Sequence, residues 1–244
     1  MQDIVYHTNY ELEDSYWWFT ARQVIVDKLI KVFTNLKPGQ TILDVGCGTG
    51  GFTKHMAQTY NMIGLDTSEL ALEFCRKRGL ENLFCGQLSE FPKDKYKVDA
   101  ITMLDVVEHI PDDRAVVKDV FNLLPSGGYY IMTVPAYQWL WSKHDEVHMH
   151  YRRYTKKRIN QIIIDAGFNI EFSSYMNSFL FLPAVLKRFS DRFKKKDDSD
   201  SKPVDEVSPM LNTIFDNLYK FEANILKLIR IPFGLSVVTI AKKP

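Results

Sequence analysis

The stretch Ile42-Leu-Asp-Val-Gly-Cys-Gly-Thr-Gly-Gly51 decides the fold: a short apolar run carries an acid and then breaks into glycines. Such a pattern reads as a buried strand that stops, turns sharply and opens a helix with its free N–H groups outward. Glycines permit the turn and let a ligand approach the backbone closely. Gly46, Gly48 and Gly51 fit G-x-G-x-x-G, and Asp66 follows Gly46 by 20 residues at the end of Met62-Ile-Gly-Leu-Asp66, which is the dinucleotide spacing. Gly46, Gly48 and Gly50 equally fit G-x-G-x-G, with Asp44 two residues ahead of the first glycine. Spacing alone leaves both readings open.

Beyond the loop, apolar runs alternate with helical patterns. Ile42 to Val45, Met62 to Leu65, Ala100 to Leu104 and Tyr129 to Val134 read as buried strands. Thr67 to Arg78, Asp113 to Leu124 and Lys156 to Ala166 read as helices, stopped by Gly79, by Pro125-Ser-Gly-Gly128 and by Gly167. Strands alternating with helices imply a parallel sheet covered on both faces. The last apolar run, Leu235 to Ala241, is a strand where a doubly wound domain more often ends in a helix, and it points to an antiparallel edge pair.

From about Thr41 to Phe172 this order of motifs resembles the class I S-adenosylmethionine (SAM)-dependent methyltransferases, of the broad type acting on small molecules, lipids and quinone precursors. The resemblance implies a Rossmann-like α/β fold: a seven-stranded, mostly parallel sheet with an antiparallel last strand and helices on both faces. It implies SAM as cofactor. Asp44, Gly46, Cys47, Gly48 and Gly50 would form the SAM loop, Asp66 would take the ribose hydroxyls, and Thr67 and Ser68 would lie beside the adenosine. Charge agrees, because a pyrophosphate disfavours a nearby carboxylate whereas the ammonium and sulfonium of SAM favour one. Gln87 stands where the family has Asp against the adenine amino group, and its amide oxygen accepts the same hydrogen bond. Leu88 would pack on the adenine and Leu104 would complete the cofactor wall. Leu104-Asp-Val-Val-Glu-His-Ile110 and Leu123-Leu-Pro-Ser-Gly-Gly128 match two further family segments, the first lining the methyl-transfer site.

The flanks are more individual. Residues 1–36 are expected to form an aromatic helical lid, with Arg22 near the SAM carboxylate; the plainer alternative is a helix packed on the sheet through Trp17, Trp18 and Phe19. Residues 37–179 form the cofactor-binding core, 180–232 a helical insertion or cap, and 233–244 the final strand. The segment from Trp139 to Tyr154 resembles the D-x-x-x-G-H-x-R-R-Y loop of a subset of the family, with Met149 in place of the glycine. It reads as a substrate loop that offers His144, Tyr151, Arg152 and Arg153 beside Glu108, unless the arginines only pair with local acids. For a hydroxyl acceptor His109 is the first candidate for general base and His150 the second. Alternatively Asp105, Glu108 and His109 hold a divalent ion. The spacing of His144, His148 and His150 does not specify a metal site, and no resident metal is expected.

A net charge of +1 on 244 residues gives no field to recruit nucleic acid, so none is expected as partner. Three cysteines without C-x-x-C spacing and an N-terminus unlike a signal peptide favour a cytoplasmic protein. Basic residues in 180–196 after an apolar stretch suggest peripheral membrane contact. Asp197 to Pro203 reads as a polar linker. An apolar stripe over 208–231 (Leu211, Ile214, Phe215, Leu218, Ile225, Leu228, Ile229) suggests a cap or a homodimer face. Two other functions fit less of the chain: an NAD-type oxidoreductase, and a SAM-binding regulatory protein without catalysis.

Overall fold

A computed structural model describes residues 3–193 and 207–244. The expected linker and the C-terminal lysines of the 180–196 segment lie outside the described residues. The elements run α1 (Asp3–Leu12), α2 (Trp17–Phe33), β1 (Thr41–Val45), α3 (Gly51–Met56), β2 (Asn61–Asp66), α4 (Glu69–Lys77) and β3 (Leu83–Cys85). There follow β4 (Ala100–Leu104), α5 (Asp113–Leu123), β5 (Tyr129–Pro135), α6 (Lys143–Val147), α7 (Lys156–Ala166), β6 (Asn169–Met176), α8 (Phe181–Phe193), α9 (Pro209–Leu226) and β7 (Ser236–Lys242).

The seven strands lie in the order β3-β2-β1-β4-β5-β7-β6. β7 runs antiparallel between β5 and β6, with Ile131 opposite Ile240, and the other pairings are parallel. The fold expected from the motif order is therefore the fold observed. Side-chain alternation divides each strand between two cores. Leu43, Met103, Tyr130, Met132 and Val237 face α5 and α7, while Ile42, Ala100, Tyr129, Ile131 and Val238 face α2, α3 and α9.

Ser68 caps α4, Asp112 caps α5 and Thr155 caps α7, each accepting a backbone N–H of the first turn as the sequence signals require. The two flanking helices pack on one another and on the sheet. α2 is a core helix: Trp17, Ala21, Ile25, Val26, Leu29 and Ile30 are buried. α9 is its neighbour, joined by Trp17 N–H to Asn212 Oδ1 at 2.8 Å and by the Thr20 hydroxyl to Asp216 at 2.8 Å. The buried face of α9 is Tyr219, Glu222, Ala223 and Leu226, whereas Leu211 and Ile214 of the expected stripe and Leu228 and Ile229 beyond the helix are exposed. Pattern counting missed this phase because it includes a tyrosine and a glutamate, whose Oε1 is satisfied by the Ser178 N–H and hydroxyl.

The chain visits β2 and β3 on one side of β1 and then returns to β4 on the other. Ligands of open α/β sheets bind at this reversal, beyond the carboxyl ends of the strands. The loops after β1 and β4 meet there.

Candidate functional site

Gly46 ends β1 at φ +70°, and a Cβ there would sit 2.5 Å from Val106 Cγ2, so the loop after β1 presses directly on the loop after β4. Around this contact opens a cavity of about 1980 Å³. Small-ligand sites commonly enclose roughly 300–1,000 Å³, so the space accommodates a cofactor and a second reactant together.

One end of the cavity is walled by Gly46, Cys47, Gly48, Asp66, Thr67, Gln87, Leu88 and Leu104, all expected from the sequence. The Asp66 carboxylate closes the loop on itself, accepting Gly48 N–H at Oδ2 and Ser68 N–H at Oδ1, both at 2.9 Å. Gly50 stands behind the wall, against Cys75 and Leu80.

Asp44 requires a correction. Its carboxylate lies under the loop and not on the cavity wall, with Thr102 donating to Oδ1 at 2.7 Å and Thr53 to Oδ2 at 2.6 Å. Burial lifts its pKa from 3.8 to about 6, against the pull of the two hydroxyls. The folded protein therefore binds this proton more tightly than the unfolded chain does. Stability from this group is highest below about pH 4 and falls as pH rises to 6, by about 3 kcal/mol for a shift of about two units. Asp44→Asn is expected to flatten that part of the stability curve, read as Tm against pH for both proteins. Parallel curves between pH 4 and 6 would contradict it.

The N-terminal segment closes one wall. Tyr6, Asn9, Glu13, Trp17, Phe19 and Arg22 line the cavity, and α1 rests on α4 through Tyr6, Tyr10 and Phe74. The segment thus both lines the cavity and, through Trp17, Ala21, Ile25, Val26, Leu29 and Ile30 of α2, packs in the core. Glu13 was not foreseen. Its Oε2 accepts the Thr49 hydroxyl at 2.6 Å and Gly51 N–H at 2.9 Å, and a Cβ on Gly51 would collide with it at 2.6 Å. Gly51, which looked like the third dinucleotide glycine, is the seat of this carboxylate. Arg22 reaches over to Asp105 at 2.5 Å, and Thr133 donates to the other Asp105 oxygen at 3.0 Å. Asp105 holds φ at +57°, a strained conformation for a non-glycine residue, so this turn is over-determined by its partners.

The other end gathers Glu108, His109, His144, His148, His150, Arg153 and Trp139, with Ala184, Lys187 and Arg188 of α8 at the rim. Asp145 organises it, fully buried on α6. Its Oδ1 faces His150 Nδ1 at 2.9 Å and Arg153 Nε at 2.7 Å, and Oδ2 accepts Arg153 Nη2 at 2.9 Å and Ser142 N–H at 2.8 Å. Burial alone would raise its pKa, but His150 and Arg153 hold it well below the carboxylate range. It is therefore ionised and accepts from His150 Nδ1, which turns Nε2 to the opposite side of the ring.

Burial pushes the pKa of His109 down to about 4 and that of His144 to about 3, so both rings are neutral at physiological pH. Glu108 is fully buried, neither of its oxygens has a hydrogen-bond partner, and burial followed by the nearby Asp105 drives its pKa upward.

Two of the expected substrate residues stand elsewhere. Arg152 donates to the carbonyls of Ile110 at 2.9 Å and Pro111 at 2.7 Å and pairs with Asp113, while Tyr151 is exposed, its N–H donating to the Glu108 carbonyl at 2.8 Å and its ring lying under the Arg152 guanidinium. Both fasten the loop to the turn after β4 and neither lines the cavity.

A glycine loop at the switch point, an acid at the end of β2 and a two-ended cavity define a class I cofactor-binding enzyme fold. The family model described as "Methyltransferase domain" matches residues 16–173, and the chain belongs to this family of SAM-dependent class I methyltransferases. A probable S-adenosylmethionine-dependent methyltransferase of Mycolicibacterium smegmatis is 26% identical over 164 residues, 66% of this chain and 62% of that protein. The ubiquinone biosynthesis O-methyltransferase of Bordetella avium is 32% identical over 98 residues, 37% of this chain and 41% of that protein. The chain thus matches less than two thirds of either relative. The solved SAM-dependent methyltransferase of Archaeoglobus fulgidus superposes with a TM-score of 0.58 at 19% identity, covering 91% of this chain and 93% of that one, and shares the fold.

Proposed function

We propose that this protein transfers the SAM methyl group to a hydroxyl-bearing small-molecule or lipid-linked acceptor held at the histidine end of the cavity. The observation that carries the reading is one continuous space with the Asp66 and glycine-loop wall at one end and Glu108, His109 and His150 at the other. Methyl transfer is an in-line displacement: the acceptor oxygen attacks the sulfonium methyl, the carbon–sulfur bond breaks and S-adenosylhomocysteine leaves. Alignment and exclusion of water supply most of the acceleration. A hydroxyl must also lose its proton, and His109, kept neutral by burial, and His150 stand at that end of the cavity.

The likeness to an O-methyltransferase supports a hydroxyl acceptor. α8 supports a lipid-linked one: Ala184, Lys187 and Arg188 line the cavity, while Leu182, Leu186 and Phe189 of the same helix are exposed. That arrangement suits an interfacial helix beside the cavity mouth, and with it a membrane-peripheral site for a cytoplasmic enzyme. No described helix is long and apolar enough to cross a membrane. The exposed Met210, Leu211 and Ile214 on α9 suit a second copy of the chain. Against the dinucleotide alternative, the Glu13 carboxylate already occupies the Gly51 N–H at the start of α3, where a pyrophosphate would bind.

The test is S-adenosylhomocysteine release against a panel of phenolic, sugar and polyprenyl-linked alcohols, the last in mixed micelles. His150→Ala is expected to lower turnover at least 100-fold, the usual scale for a group acting on the transferred proton, with SAM affinity unchanged by calorimetry. Binding of SAM without release from any acceptor class would favour the regulatory alternative. Binding of NAD and not SAM would overturn the reading.

A further inference from the structure

Glu108, His109 and His150 each offer one ligand atom, and these atoms all lie within 4.8 Å of one another. The segments that bring them together are locked: Tyr151 N–H donates to the Glu108 carbonyl at 2.8 Å, and the rings of His109 and His150 pack edge-on with centroids 4.6 Å apart. Two features of the cluster lack a protein partner. The Glu108 carboxylate is buried with both oxygens unpaired, in a residue that lines the cavity, whereas a buried acid without hydrogen bonds is costly and rare. His150 has its Nδ1 fixed by Asp145, which leaves Nε2 on the side of the ring away from that carboxylate. A carboxylate behind the remote nitrogen of an imidazole is the usual support for a metal-ligating histidine.

We infer that Glu108, His109 and His150 bind a divalent transition-metal ion at the acceptor end of the cavity. Two imidazoles and one carboxylate select the zinc, iron, manganese and cobalt group over magnesium or calcium, which prefer all-oxygen sites. Ligand bonds of about 2.1 Å in a tetrahedral site place ligand atoms about 3.4 Å apart, so the three side chains close by about 1.4 Å or less on binding. Three protein ligands leave a position for the acceptor oxygen, whose proton the ion acidifies. His109 and His150 then act through the ion rather than as bases themselves. This role rests on the methyltransferase reading, but the binding site does not.

The proposed set differs from the one that sequence spacing offered, and from the expectation of no metal. Asp105 is engaged by Arg22 and Thr133, and the third ligand comes instead from His150, on a loop that only the fold brings to the turn after β4.

The experiment titrates chelator-stripped protein with Co²⁺ alone, following d–d absorption in the visible range, with SAM affinity measured on the same samples. One equivalent with tetrahedral or five-coordinate bands is expected, and Glu108→Gln and His150→Ala are each expected to weaken Co²⁺ binding at least 100-fold. Imidazole NMR signals of wild-type protein report the same ligation without any variant: those of His109 and His150 shift or broaden with Co²⁺. Absent bands, unshifted signals of these two rings, or affinity retained in both variants overturns the site. Loss of SAM binding with Co²⁺ binding intact would sink the methyltransferase reading and leave the site standing. The converse would sink the site alone.

Discussion

Replacing Asp66 with alanine is expected to weaken SAM binding at least 100-fold while the protein remains folded. The carboxylate ends β2 at the cavity wall, and its two oxygens hold Gly48 N–H and Ser68 N–H, each at 2.9 Å. Burial raises its pKa and the backbone donors lower it, so the group is kept in place by the loop it organises. Removing it takes away a charged acceptor for ribose hydroxyls and releases the glycine loop at once. Hydrogen bonds to a charged partner contribute about 1.5–3 kcal/mol each, and one or two of them account for a 100-fold change at about 1.4 kcal/mol per decade. Calorimetry with SAM measures it. Asp66→Asn keeps the shape and one acceptor atom and should fall between the two. Affinity within threefold of wild type in Asp66→Ala would remove this residue from the cofactor site.

The fold was legible because its information is local. Strands buried on both faces read as unbroken apolar runs, and their order with the helices between them leaves few topologies. The cofactor wall was legible for the same reason, since Gly46, Gly48, Asp66 and Gln87 follow strand ends at fixed distances. What escaped was whatever depends on register or on distant chain. Asp44 faces Thr102 because β1 pairs with β4 in that register, which no spacing within β1 reveals. Glu13 is an acid in an aromatic-rich segment, and only the docking of α1 explains both it and Gly51. Arg152 and Arg153 are adjacent and look equivalent in sequence, yet they leave the backbone in different directions, one to Asp113 and the other to Asp145.

That divergence makes Arg153 the most informative stability mutant. The motif resemblance offers it as a substrate ligand, but its guanidinium is spent on Asp145, with Nε at 2.7 Å from Oδ1 and Nη2 at 2.9 Å from Oδ2. The Asp145 side chain is wholly buried and that of Arg153 is 10% exposed. Removing one partner of a buried pair leaves the other charge uncompensated, at about 3–5 kcal/mol. Arg153→Ala is therefore expected to lower Tm by roughly 10 °C for a chain of this size. Substituting Asp145→Asn as well should restore part of the loss, because no bare charge then remains inside, although the hold on His150 is not recovered. A purely substrate-binding arginine would behave oppositely, with an unchanged Tm and a raised acceptor KM. Thermal unfolding of the two single variants and the double variant separates these outcomes, and a Tm within 2 °C of wild type for Arg153→Ala would return this residue to the substrate.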